Sequence, residues 1–169
     1  MEEFIGTKRI LAKPMTRQEY NDYRGRELPS DENGDDEGYL VEYLDGGQPN
    51  DPNHTGYISW SPKAIFESTY QGSGNLSFGH AIEYAKLGKK IARTGWNGKN
   101  MFVVYMVPVR LPPYNTNSKA NDRTAKSIGE YALLDCQPCF AMYNAQKQWV
   151  AGWLASQSDM LANDWCVVE

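Results

Sequence analysis

Residues 77–88, Ser-Phe-Gly-His-Ala-Ile-Glu-Tyr-Ala-Lys-Leu-Gly, decide the fold of the C-terminal half of the chain. Ser77 can cap the start of a helix, and Gly88 can end it, because glycine readily adopts the left-handed conformation that follows a helix C-terminus. Between them, apolar residues recur every three or four positions and so share one helix face: Phe78, Ala81, Ile82 and Ala85. The segment therefore predicts an amphipathic helix from Ser77 to about Leu87.

Short apolar runs follow this helix and predict the strands of an antiparallel sheet. Asn97-Gly98 is the strongest short hairpin signal in the chain, and Ser156 can cap a helical turn at residues 160–163. The predicted strands are Lys89–Trp96, Met101–Val109, Phe140–Tyr143, Trp149–Leu154 and Trp165–Val168. Between the second and third of them, a loop is predicted near residues 115–123 and a short helix at 127–134. One amphipathic helix laid on an antiparallel sheet is an α+β module.

The preceding residues predict a small α+β module of their own. Its predicted strands are Phe4–Ala12, Tyr39–Leu44 and Tyr57–Trp60. Thr16 and Glu19 form a capping-box pattern, in which each side chain accepts a hydrogen bond from the other residue's backbone amide, so we expect a helix through Tyr23. Ser61-Pro62 predicts a second helix start, with the helix running to about Tyr70.

Charge is unevenly distributed along the chain. The 169 residues include 17 Lys and Arg and 21 Asp and Glu, for a net charge of −4. Residues 1–70 hold 7 basic and 14 acidic side chains, a net charge of −7, which leaves +3 for residues 71–169. The change falls at Gln71-Gly72-Ser73-Gly74-Asn75, whose composition is typical of a flexible joint. We therefore expect an acidic accessory module at 1–70 and a second domain at 76–169; a loop inside one domain is the alternative.

Several functional classes are disfavoured by composition and motifs. There is no run of about 18 apolar residues that could span a membrane, and the acidic start of the chain is unlike a signal peptide, so we expect a cytoplasmic protein. A net charge of +3 is too small to predict a DNA-binding face. With two histidines and no Walker, Gly-x-Ser-x-Gly or His-Glu-x-x-His motif, the chain carries no recognisable catalytic set.

Two further patterns resemble redox or metal sites. Cys136-Gln137-Pro138-Cys139 has redox spacing and could be half of a zinc site, but no second pair of ligands completes a tetrahedron, and two packed thiols are the alternative. The carboxylates at 27–37 suggest calcium, but counting from Asp31 puts Asp36 where a calcium loop needs glycine. A solvated acidic loop accounts for them better. We predict no metal and no cofactor.

Aromatic and amide-bearing residues at the ends of predicted strands favour a binding site instead. Residues 96–100 (Trp-Asn-Gly-Lys-Asn) and 153–159 (Trp-Leu-Ala-Ser-Gln-Ser-Asp) combine rings, amides, hydroxyls and a carboxylate. Indole rings stack on bases, at about 1–3 kcal/mol each, and Asn, Gln and Asp can bind purine edges or ribose hydroxyls. A nucleotide-like ligand is one interpretation. Tryptophans that fill the core, together with an Asn-Gly turn, are the other.

Four stretches of the C-terminal half resemble a known phage and prophage family in their order and spacing. They are residues 77–82, 88–93, 95–102 and 152–165, the last reading Gly-Trp-Leu-Ala-Ser-Gln-Ser-Asp-Met-Leu-Ala-Asn-Asp-Trp. The family is that of the second Thoeris anti-defence protein. The resemblance implies a non-enzymatic sponge, a homo-oligomer described as a tetramer, which holds the cyclic ADP-ribose isomer of Thoeris defence (glycocyclic ADP-ribose) between subunits without degrading it. Some members also hold cyclic oligonucleotides of the related CBASS defence.

The resemblance further implies ten ligand-binding residues. The residues expected to pack against base or ribose are Trp96 and Trp153, and those expected to bind pyrophosphate are Arg93 and Lys99. The residues expected to bind polar edges are Asn97, Ser156, Gln157 and Asp159, with Asp164 or Trp165 lining the same pocket.

This chain departs from short family members in two places. It carries about seventy extra N-terminal residues, and the segment between Val107 and Cys139 is longer. Two other functions stay open. One is hydrolysis of a cyclic nucleotide, with the acidic loop holding a metal, and the other is a phage structural or regulatory role in which the acidic module binds a protein.

Overall fold

The computed structural model describes residues 1–111, 127–129 and 132–169. The chain divides into two compact units, Met1–Gln71 and Gly72–Glu169. Each unit combines helices with antiparallel strands, which confirms the predicted α+β class. Within the described ranges, no helix has the length and apolarity needed to cross a membrane. The predicted loop near 115–123 lies outside the described residues.

The first unit is a three-stranded antiparallel sheet with two short helices. Its elements are β1 (Ile10–Pro14), α1 (Arg17–Tyr23), β2 (Gly38–Tyr43), β3 (Ile58–Pro62) and α2 (Lys63–Thr69). The strand order is β1-β2-β3, so β2 is central and supplies two of the buried core residues, Leu40 and Val41. The first predicted strand is shorter than expected, because only its last residues, from Ile10 onward, pair with β2.

Two helix starts are predicted in this unit, of which one is confirmed and the other is wrong. The capping box of α1 is confirmed, since Thr16 Oγ1 accepts from the Glu19 amide (3.2 Å) and Glu19 Oε2 accepts from the Thr16 amide (2.7 Å). The predicted cap at Ser61 is wrong. Ser61 is part of β3 and pairs with Tyr39, and α2 begins after Pro62 with no capping side chain. Pairing with the central strand outweighs the local capping preference.

The acidic loop of this unit is partly neutralised by one arginine. Arg17 makes ion pairs with Glu32 (2.9 Å) and Asp36 (3.4 Å), and its guanidinium lies 4.2 Å from the ring centre of Trp60. Among the described residues, no three His, Cys, Asp or Glu side chains are placed to hold a metal ion.

The second unit is a five-stranded antiparallel sheet covered by a nine-residue helix. The elements are α3 (Phe78–Lys86), β4 (Lys90–Arg93), β5 (Phe102–Met106), β6 (Val109–Leu111), β7 (Leu134–Cys136), β8 (Cys139–Tyr143), β9 (Trp149–Ala151), α4 (Gln157–Met160) and β10 (Trp165–Val168). Strand order is β10-β4-β5-β8-β9, and β6 pairs with β7 in a separate two-stranded ribbon.

Helix α3 and the sheet enclose the core of this unit. Ser77 caps the helix, accepting from the His80 amide at 3.4 Å, and Gly88 follows the helix with a φ of +83°, both as predicted. The helix packs against β4, β10 and β5. The buried cluster between them consists of Leu76, Ala81, Ala85, Ile91, Val103, Met142 and Trp165. The predicted arrangement of one amphipathic helix on an antiparallel sheet is confirmed.

Several predicted boundaries in this unit need correction. The hairpin near Asn97-Gly98 joins β4 to β5 as expected, but its loop covers residues 94–101 and the left-handed residue is Asn100, with a φ of +59°. The predicted strand 101–109 is interrupted after Met106. The predicted helix 127–134 does not reach its last residue, because position 134 begins β7.

The cysteines of this unit are half-buried free thiols. Cys136 ends β7 and Cys139 begins β8, so the strand expected after this pair is confirmed. Cys166 lies in β10, with its thiol 3.6 Å from the Ala92 carbonyl oxygen. Burial raises the pKa of the Cys166 thiol, which disfavours a reactive thiolate at this position.

Candidate functional site

The site is organised by the short helix α4 and the residue that caps it. Ser156 Oγ accepts from the Asp159 amide (3.1 Å), and Asp159 Oδ2 accepts from the Ser156 amide (3.1 Å) and from Ser156 Oγ (2.7 Å). This reciprocal box satisfies amides that a four-residue helix would otherwise leave unpaired. It also fixes the buried Asp159 carboxylate relative to the chain on either side.

Asp159 links this helix to the loop after β4. Its second oxygen, Oδ1, accepts from Trp96 Nε1 (3.0 Å) and from Arg93 Nη1 (2.9 Å). Burial by itself would raise the pKa of Asp159, but hydrogen bonds from Ser156, Trp96 and Arg93 outweigh it and set the pKa at about 2. The carboxylate is therefore ionised at neutral pH and acts as a hydrogen-bond acceptor.

Arg93 bridges Asp159 to a second carboxylate. Its Nε donates to Asp164 Oδ1 (2.7 Å), and its Nη1 also donates to the Ser158 carbonyl oxygen (3.2 Å). Asp164 Oδ2 accepts in turn from the Gly95 amide (2.8 Å). The bond from Arg93 holds the pKa of Asp164 below its usual range, and the two carboxylates raise the pKa of Arg93. Two carboxylates and one guanidinium give this network a formal charge of −1.

Three tryptophans pack beside the network. Trp96 meets Trp165 and Trp153 edge to face, with ring centres 5.3 and 6.1 Å apart, and Trp153 lies 6.3 Å from Trp165. Trp165 is fully buried and donates from Nε1 to the Asp159 carbonyl oxygen (2.9 Å). Trp96 and Trp153 are half-buried. The rings therefore support one another as part of the core, and two of them also reach the surface.

The ten predicted residues fall into two groups in the structure. Seven form one connected cluster of hydrogen bonds and ring contacts, namely Arg93, Trp96, Trp153, Ser156, Asp159, Asp164 and Trp165. The other three, Asn97, Lys99 and Gln157, are exposed. Their side chains make no hydrogen bond or ion pair within the described residues. They are thus available to a ligand, whereas most of the cluster is engaged within the protein.

The geometry restricts what the clustered residues can do in a single subunit. A phosphate approaching Arg93 would compete with two carboxylates, although the bonds of Arg93 to Asp159, Asp164 and Ser158 use only Nε and Nη1 and leave out Nη2. Trp165 presents no surface to solvent. For Trp96 and Trp153, contact with a ligand is confined to the parts of each ring that stay exposed.

Sequence reasoning left out three residues that shape the surroundings of the cluster. A Cβ at Gly95 would lie 2.7 Å from Asp164 Oδ2, so glycine is needed for its amide to reach that carboxylate. Leu154 and Leu161 flank α4 and are 87% and 81% exposed. Their apolar character is evident from the sequence of residues 152–165, but their exposure depends on the tertiary fold.

The ionisable groups of the cluster, Asp159, Asp164 and Arg93, each keep one charge state at neutral pH. The two carboxylates are both ionised at neutral pH, and no histidine or cysteine belongs to the cluster. Efficient general acid catalysis needs a group whose pKa lies near the working pH. Donors, acceptors and rings held in fixed positions suit recognition instead.

Comparison with known proteins shows which family the second unit resembles. Residues 76–168 match the family model described as the Thoeris anti-defense 2-like domain. The chain is also similar to the protein named Thoeris anti-defense 2 of Bacillus phage SP01, with 33% identity over 100 residues that cover 55% of this chain and 94% of that protein. The match of the family model includes α3, the whole five-stranded sheet and all ten predicted site residues. The chain therefore belongs to the Thoeris anti-defense 2-like family.

Proposed function

We propose that the protein counteracts Thoeris defence by binding and sequestering a cyclic ADP-ribose-type signal, glycocyclic ADP-ribose, without degrading it. Membership of residues 76–168 in the anti-defence family carries the proposal. The protein acts in the cytoplasm of the infected bacterium, where such a signal would be made. Cyclic oligonucleotides of CBASS defence are further ligands of the same chemical type.

Sequestration is favoured over hydrolysis by the protonation states of the site. With Asp159 and Asp164 both ionised, the cluster offers no proton to a leaving group. It does offer groups that suit a dinucleotide ring: partly exposed indoles for a base, the amides of Asn97 and Gln157 for polar edges, and Lys99 for a phosphate.

A pocket shared between subunits fits the exposed apolar surface around α4. Leu154 and Leu161 expose most of their side chains beside the polar residues Ser156 and Gln157. Large apolar residues next to a binding rim are typical of protein interfaces. A homo-oligomer, a tetramer in the form the family resemblance implies, would bury these leucines and let two subunits contribute to one pocket.

Retention of ligand by wild-type and variant protein tests the proposal. Protein is mixed with glycocyclic ADP-ribose, free ligand is removed, and the bound fraction is released by denaturation and identified by chromatography. Trp153→Ala should weaken retention about tenfold, since stacking on one ring contributes roughly 1–3 kcal/mol. Trp149→Ala is the control, because Trp149 is an exposed tryptophan of β9 that packs on Phe102 and Tyr143 and makes no ring contact with the cluster.

The outcomes of this experiment separate the alternatives. Unchanged ligand recovered from the wild type, with a loss specific to Trp153→Ala, supports the proposed site. Equal retention by the two variants would assign Trp153 to the core alone. A cleaved product would favour a hydrolase, and no retention at all would contradict sequestration.

A further inference from the structure

The first unit contains a buried carboxylate that the proposed function does not use. Glu42, in the central strand β2, accepts four hydrogen bonds. Oε1 accepts from the Thr55 amide (2.9 Å), Thr55 Oγ1 (3.0 Å) and the Gly56 amide (3.0 Å), and Oε2 lies 2.7 Å from His54 Nδ1. A side chain held at both oxygens has little freedom to move. Glu42 therefore provides a fixed negative charge behind the imidazole.

Glu42 determines the tautomer of His54. The pKa of Glu42 is about 2, because hydrogen bonds lower it. The bond from His54 has the largest effect, followed by those from the Gly56 amide and Thr55. The oxygens of Glu42 can therefore only accept hydrogen bonds. The proton between the two residues must then lie on Nδ1 of His54. In the neutral imidazole this leaves Nε2 with a lone pair and no proton.

The free nitrogen faces a tyrosine hydroxyl. Tyr23 Oη, at the end of α1, lies 2.9 Å from His54 Nε2, and the two rings meet at 81° with centres 5.9 Å apart. Tyr23 is 37% exposed, so a reagent can reach its hydroxyl. Lys13 Nζ lies 5.6 Å from the centre of the tyrosine ring, so a cation stands beside the ring. Three elements, β2, the loop before β3 and α1, thus converge in one chain of hydrogen bonds.

We propose that Tyr23, His54 and Glu42 form a nucleophile, base and orienting carboxylate, and that Tyr23 accepts groups from esters or anhydrides with good leaving groups. Tyr23 Oη attacks the electrophilic centre while its proton moves to His54 Nε2. The bond from Oη to that centre forms, and the bond to the leaving group breaks with its electron pair going to the leaving group. Nothing is oxidised or reduced, and Glu42 stabilises the imidazolium. The same order of groups activates hydroxyl nucleophiles in other proteins.

Covalent labelling with benzenesulfonyl fluoride tests the proposal on the full chain. The reagent transfers its sulfonyl group to a hydroxyl and releases fluoride, and peptide mass spectrometry locates the adduct. Tyr57 is an internal control, because it is 45% exposed in the same unit and its hydroxyl makes no hydrogen bond within the described residues. Tyr23 should be labelled at least about tenfold faster than Tyr57, since a positioned general base accelerates such steps by that factor or more.

Two variants test whether the faster labelling of Tyr23 than of Tyr57 depends on His54 and Glu42. His54→Gln should bring the labelling rate of Tyr23 down to that of Tyr57, and Glu42→Gln should lower it by a smaller factor while Tyr57 is unaffected. Tyr23→Phe should remove the adduct at position 23. Because the comparison of Tyr23 with Tyr57 is made within the wild-type protein, it holds even if a variant fails to fold. Equal rates at the two tyrosines would show that the hydrogen bonds only fasten the loop to α1, and would overturn the proposal.

Discussion

Arg93 and Asp164 are 71 residues apart in sequence, yet Arg93 Nε lies 2.7 Å from Asp164 Oδ1. The bond joins the last residue of β4 to the residue before β10, two strands that are neighbours in the sheet. It also positions Asp164 so that its Oδ2 accepts a hydrogen bond from the Gly95 amide. This pair therefore holds the loop that carries Trp96 and Asn97 against the sheet.

Asp164→Asn tests the contribution of that pair to stability. Loss of the charge should lower the free energy of unfolding of the second unit by about 1–2 kcal/mol, because hydrogen bonds to charged groups contribute more than neutral ones but this carboxylate is partly exposed. Calorimetry or chemical denaturation measures the change. Glu83→Gln, which breaks the exposed ion pair with Lys86, should cost under about 0.5 kcal/mol. Equal effects of the two variants would contradict a special role for the Arg93–Asp164 pair.

Stability should fall at acidic pH because of Asp159. Its pKa of about 2 in the folded protein lies below that of an aspartate in an unfolded chain, about 3.9. The ionised Asp159 contributes roughly 1–2 kcal/mol to the free energy of unfolding. This contribution is complete above about pH 5 and is lost as the pH falls toward 2. Urea unfolding of the wild type and of Asp159→Asn between pH 7 and pH 2.5 measures it. The difference between the two proteins should shrink as the pH falls; a difference that stays constant would contradict the assignment.

Gly38 should tolerate no side chain. A Cβ at this position would lie 2.4 Å from Cζ2 of Trp60 and 2.5 Å from the Ser61 carbonyl oxygen, both on the paired strand β3. We expect Gly38→Ala to destabilise the first unit by about 1–3 kcal/mol, the usual cost of overpacking. Gly6→Ala provides the comparison, since a Cβ there would meet nothing within 4 Å. Calorimetric midpoints that are the same for the two variants would argue against this packing.

Asn97→Ala should weaken ligand binding without changing stability. The side chain is exposed and makes no hydrogen bond in the described ranges, so under the proposed function its loss removes only the expected contact with the ligand. A single hydrogen bond contributes about 0.5–1.5 kcal/mol, which corresponds to a loss of affinity of roughly 2- to 10-fold. Gln146→Ala, an exposed amide in the turn before β9, should leave affinity unchanged. Titration calorimetry with glycocyclic ADP-ribose gives the two dissociation constants.

Local features were predictable from the sequence, whereas features set by distant partners were not. The caps at Thr16, Ser77 and Ser156 depend on residues three positions away, so their patterns could be recognised directly. The helical turn predicted at residues 160–163 is misplaced, however, because the turn that Ser156 caps is Gln157–Met160. The cap predicted at Ser61 failed because that residue pairs with Tyr39, which is far away in sequence. Local preference is overridden when a strand partner satisfies the same backbone groups.

The candidate site shows the same limit. Residue types in 96–100 and 153–159 suggest a binding site, the family resemblance implies its ten residues, and the structure brings seven of the ten together. The sequence could not indicate that Arg93 is engaged by Asp159 and Asp164, or that Trp165 is completely buried. Both depend on the order of strands in the sheet, which places β10 next to β4.

A mass balance with excess signal tests sequestration most directly. Purified protein is incubated for hours with a several-fold molar excess of glycocyclic ADP-ribose, and both bound and free nucleotide are then quantified after denaturation. We expect the bound amount to saturate at a fixed ratio to protein while the total intact ligand equals the input. Loss of intact ligand beyond one molecule per binding site, with a product that accumulates over time, would contradict the account and identify the protein as an enzyme.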